Sequence, residues 1–188
     1  MFSKRKSFNI TAISAEYFVK CFGLAKMWIK QADAYTYTVE MLAIFYVMVD
    51  LAMMNAEKDR YKAAGKVMNW AAEIIKMILG QDKSDDELKK AINQYHKRID
   101  FYGEIIRGKE LRNECMLFHD TSVISNNSIL RCAVAFTDCL VNPECIENYD
   151  NAPTMLSDIT RLMSIAQQTM MPLGKELFLF YKAIYDNA

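Results

Sequence analysis

Glycine and proline are scarce in this chain, 6 and 3 of 188 residues. With so few breakers, and with no sustained period-2 alternation in Val- or Thr-rich runs, sheets are disfavoured and long helices are free to form. The expected fold class is all-α, a single-domain helical bundle of about six to eight helices. Net charge is absent too, because 23 basic side chains balance 23 acidic ones. At 52% apolar and 24% charged residues the composition is that of a folded protein and excludes a disordered one. A chain of this length buries roughly 70% of its unfolded surface, enough for a core without disulfide or metal.

Cysteine is uncommon and odd in number: Cys21, Cys115, Cys132, Cys139 and Cys145, with no C-x-x-C spacing. Such a set reads as reduced thiols in a cytoplasmic protein. Cys132 and Cys139, seven apart on one expected helix, would be separated by about 10.5 Å of rise, too far for a disulfide. Histidine is rarer still, and neither His96 nor His119 has a glutamate three residues before it, since Asn93 and Met116 stand there. The Glu-x-x-His pattern of di-iron bundles is therefore missing, and no metal or other cofactor is expected. Long apolar runs are missing as well. Met41 to Val49 is the most apolar stretch and stops at Asp50, short of the roughly 20 residues that cross a bilayer. It reads as a core helix, with no transmembrane segment. The basic start, Met1 to Lys6, leads into no apolar stretch and so is not a signal peptide; residues 1–12 read as a flexible basic tail and 13–188 as the helical domain.

Periodicity then divides the chain. Helices are expected at about 14–30, 34–54, 58–79, 84–107, 109–119, 128–141, 153–171 and 172–185. The second is apolar nearly all round, with a thin polar stripe of Asp33, Glu40, Asp50 and Glu57, which marks it as central. Ser84-Asp85-Asp86-Glu87 is a capping box and fixes the start of the fourth. On that helix Leu88, Ile92, Tyr95, Ile99, Tyr102 and Ile106 fall at spacings of 4, 3, 4, 3 and 4, a seam for neighbouring helices. Phe101 lies opposite the seam among Lys97, Asp100 and Glu104, which suggests an interface. Charge is uneven along the chain: residues 1–112 carry +5 and residues 113–188 carry −5, a polarity that orients association.

Three groups of residues bear on chemistry. Gly103-Glu-Ile-Ile-Arg-Gly108-Lys109 matches most of a phosphate-binding loop, but Glu110 replaces the hydroxyl and Gly103 lies inside a helix seam, so that reading is rejected. Asp50, at the end of an apolar run, either meets a cation and water or orients a ligand in a pocket lined by methionines such as Met48, Met53 and Met54. Arg112-Asn113 followed by His119 resembles the Arg-Asn … His motif of the HEPN ribonucleases. The resemblance covers eight residues and implies a metal-independent nuclease, with the histidine moving protons and the arginine meeting phosphate charge across a dimer; nucleic acid would be the partner. The leading reading is a bundle without catalytic activity that works by self-association, as a homo-oligomer, or by binding another protein. The HEPN-like nuclease and the small-molecule binder near Asp50 are the alternatives.

Overall fold

A computed structural model describes residues 9–26, 34–80, 83–107, 128–141 and 171–188, together with Gln168. Of these, 91% are helical and none is in a strand, as the scarcity of breakers predicts. The helices are α1 (Ile10–Lys26), α2 (Ala34–Asn55), α3 (Arg60–Leu79), α4 (Asp85–Ile106), α5 (Ser128–Val141) and α6 (Met171–Asn187). The helices expected over 109–119 and most of 153–171 lie outside the described residues.

Capping chemistry sets the boundaries. α1 begins at Ile10, ahead of the expected Ser14, because the Asn9 side chain accepts from the Ala12 amide at 3.2 Å. Ile10 is buried, so residues 10–12, expected in the tail, belong to the helix. α2 ends in a Schellman motif: the Lys58 amide donates to the Met53 carbonyl at 3.0 Å and the Glu57 amide to Met54 at 3.1 Å. Glu57 supplies the left-handed residue (φ 54°) and is therefore in the turn, not on the polar stripe of α2. α3 is capped by Asp59, whose carboxylate accepts from the Lys62 amide at 3.1 Å, and ends at Gly80 with φ 87°. Both halves of the Ser84/Glu87 capping box form at the start of α4.

α2 is the central helix, packed by α1, α3, α4, α5 and α6. Aromatic rings tie the layers together. Phe45 of α2 stacks on Phe180 of α6 at 4.3 Å, and Phe18 of α1 meets both Phe45 and Trp70 of α3 edge-on. Tyr37 packs between Phe22 and Phe136, and its hydroxyl donates to the Cys21 carbonyl at 3.0 Å. Tyr17 lies 5.6 Å from Phe180 while Ile10 shares a cleft with Ala188, so α1 and α6 run antiparallel.

The apolar stretch of α2 is longer than the nine residues read from the sequence. Tyr35–Asn55, 21 residues with a mean hydropathy of 1.6, is long and apolar enough to cross a membrane. In this fold 78% of its most apolar window is buried inside the bundle, where its faces meet other helices.

Candidate functional site

The face that α4 buries is rotated from the expected seam. Ala91, Tyr95, Arg98, Tyr102 and Ile105 are buried, while Leu88, Ile92, Ile99 and Ile106 are half-buried on the flank. The cause is Glu40 of α2, which is fully buried and needs a cation. Arg98 supplies it, with Nε 2.6 Å from Glu40 Oε1. Arg98 is a hydrogen-bond partner of the same carboxylate as well as its counter-charge. Tyr102 donates its hydroxyl to Glu40 Oε2 at 2.6 Å. Burial pushes the Glu40 carboxyl above the usual range, and the Arg98 charge and the Tyr102 hydroxyl pull it back. The stem and guanidinium of Arg98 also cover aromatic faces, 4.0 Å from the Phe101 ring and 5.3 Å from Tyr102.

This contact corrects the expectation for Phe101. The ring is half-buried beneath Arg98 and edge-on to Tyr102 at 5.0 Å, not exposed among charges. Asp50 is placed on the outer side of α2, where its carboxylate meets Arg60 Nε at 3.1 Å; the two side chains are 31% and 43% exposed. Tyr46 stands nearby, its hydroxyl held protonated to higher pH by burial and then by the Asp50 charge, against the opposing Arg60. Arg112, Asn113 and His119 lie outside the described residues. Gly103 is helical in α4, which agrees with rejecting the phosphate loop. Among the described residues no three His, Cys, Asp or Glu side chains are grouped to hold a metal ion. Cys21 and Cys132 are buried and reduced; burial pushes the Cys21 thiol up to about 12 and Cys132 in the same direction.

Sequence reasoning passed over the outward face of α6. Met171, Phe178 and Tyr185 recur every seven residues and are 57%, 51% and 43% exposed. Lys175 and Lys182, both exposed, alternate with them, so the face reads Met-Lys-Phe-Lys-Tyr at spacings of 4, 3, 4 and 3. The inward face of the same helix carries Leu173, Leu177, Phe180 and Ile184, all buried. Tyr181 is fixed between the two faces: its hydroxyl accepts from Asn55 Nδ2 at 2.9 Å and its ring stacks on Tyr185 at 6.1 Å. α6 is thus a rigid support for a partly apolar strip at the surface, 15 residues from Met171 to Tyr185 and about 21 Å long.

No protein family, curated protein or solved structure matches the chain.

Proposed function

We propose that the protein acts by self-association through the outward face of α6. The observation that carries this is the heptad-spaced strip Met171, Phe178 and Tyr185 with Lys175 and Lys182 between them. The strip is self-complementary. Phe178 and Lys182 lie equally far on either side of position 180, and so do Lys175 and Tyr185. Two copies of α6 crossing antiparallel about that position set each aromatic ring against a lysine of the other copy. A twofold axis repeats every such contact. Each ring can take a lysine ammonium over its face, worth about 0.5–1 kcal/mol at an exposed site.

Area limits the strength. Three side chains of about 200 Å² each, half exposed, offer roughly 300 Å² per copy, against about 800 Å² per partner in a standard stable interface. The association is therefore transient, with dissociation constants on the order of tens to hundreds of micromolar. Sedimentation velocity over a wide concentration series tests it. Wild type is expected to move from monomer towards dimer, Phe178→Asp to stay monomeric, and Tyr61→Asp, a change to an 82% exposed ring on α3, to behave as wild type. A wild-type monomer at several hundred micromolar, or equal association by Phe178→Asp, overturns the reading.

A further inference from the structure

A cleft of about 190 Å³ opens between α3 and the antiparallel ends of α1 and α6. Its lining divides into two kinds of surface. Ile10, Met53, Ala63 and Ala188 give apolar surface, and the first three are buried core residues. Lys58, Lys62 and Lys66, spaced by four, form the remaining wall with Asp59. Lys62 and Lys66, one turn apart on α3, repel by a few tenths of a kcal/mol, and Lys58 stands in the turn just before the Asp59 cap. Among the described residues none of the three lysines is in an ion pair. The one acid in the lining, Asp59, is turned to the backbone as the cap of α3.

We infer that this cleft binds a small amphiphilic anion, a short apolar chain carrying a single acidic head such as a medium-chain carboxylate. The apolar chain covers Ala188, the lysine stems and the small part of Ile10, Met53 and Ala63 that the cleft leaves open, and the acidic head takes charge-assisted contacts from the lysines. Charge selects the sign of the head. The volume limits the body, because 190 Å³ is below the roughly 300–1,000 Å³ of pockets for drug-sized ligands. Neither half of the site suffices alone: a simple anion has no use for the apolar floor, and an uncharged chain leaves the lysine row uncompensated. This site is separate from the α6 strip, and its test does not depend on association.

Octanoate, octanol and acetate are the probes, titrated into full-length protein labelled at the methionine methyls and followed by NMR. Octanoate is expected to shift the Met53 methyl saturably, octanol to bind at least 5-fold more weakly, and acetate to show no saturation at equal concentration. Changing Lys58, Lys62 and Lys66 together to Gln should weaken octanoate at least 5-fold and bring it level with octanol, with the circular dichroism spectrum unchanged. The three lysines are at the surface, so the triple variant should fold. Should it not, the wild-type ranking of octanoate over octanol and acetate decides by itself. Octanol binding as tightly as octanoate, shifts confined to methionines away from the cleft, or a folded triple-Gln variant with wild-type affinity would each overturn the assignment.

Discussion

Glu40 and Asp50 are both acids of α2, and each meets an arginine, but the two pairs differ in nearly everything that sets their energetic weight. Glu40 and Arg98 are buried, with a third partner in Tyr102. Asp50 and Arg60 are each about one-third exposed or more, and water competes for both. A buried pair is costly to assemble and far costlier to break, because the remaining partner is left charged in a poor solvent. An exposed pair has water as a substitute and is worth little. The first pair therefore fixes how α4 sits on α2, whereas the second decorates the start of α3.

The comparison breaks most easily at the arginines. Arg98→Ala should destabilise the protein by about 3–5 kcal/mol, with the covering of Phe101 and Tyr102 lost as well. Arg60→Ala should cost less than about 1 kcal/mol. Urea denaturation followed by circular dichroism measures both, and similar losses from the two would show that burial does not separate the pairs. Tyr102→Phe should fall between them, at about 1.5–3 kcal/mol, since it removes a hydrogen bond to a buried charged group.

Acidity sharpens the same contrast. Burial raises the folded-state value of Glu40 above its unfolded value of about 4.3. For a carboxyl shifted in that direction the folded chain holds the proton more tightly, so its contribution to stability is full below the unfolded value and is lost as pH rises through the folded one. The measurement is the stability of wild type minus that of Glu40→Gln across pH 4 to 8. The difference should decline with rising pH and then level off above the folded value. A difference that grows with pH would mean that Arg98 and Tyr102 outweigh desolvation and hold the carboxylate ionised.

Where the structure follows local chemistry, the sequence was legible. The Ser84/Glu87 box and Gly80 each mark a helix boundary by a backbone requirement that one or two residues meet, and α4 starts at the one and α3 stops at the other. Whether residues 34–80 form one helix or two was open from the sequence; α2 ends at Asn55 because Glu57 takes the left-handed position, which no pattern of apolar residues announces. The buried face of α4 was not legible either. Counting apolar residues makes Arg98 a surface cation, and only the position of Glu40 on a helix far away in sequence turns it inward. Phe101 was misread for the same reason, because rotating α4 to bury Arg98 brings the ring halfway under its guanidinium. The α6 strip was present in the sequence as a seven-residue repeat, but at Met171, Phe178 and Tyr185 apolar spacing alone does not say which of two faces the core takes.

The smallest expected effect is at Tyr95, two turns before Tyr102 on the same face of α4. Its ring is buried, and among the described residues its hydroxyl has no hydrogen-bond partner. Burial holds that hydroxyl protonated far above its ordinary value, so it stays neutral across the working range and carries no charge for a neighbour to meet. An unpaired buried hydroxyl costs about 1–3 kcal/mol of desolvation that no contact returns. Removing it should therefore leave stability unchanged or raise it by up to about 1 kcal/mol, whereas the same change at Tyr102 destabilises. The two Tyr→Phe variants delete the same atom from the same helix face, and only the carboxylate of Glu40 distinguishes them. If Tyr95→Phe costs as much as Tyr102→Phe, the Tyr95 hydroxyl has a partner, such as a bound water shared with Tyr46, and the polar interface of α2 and α4 extends beyond Glu40, Arg98 and Tyr102.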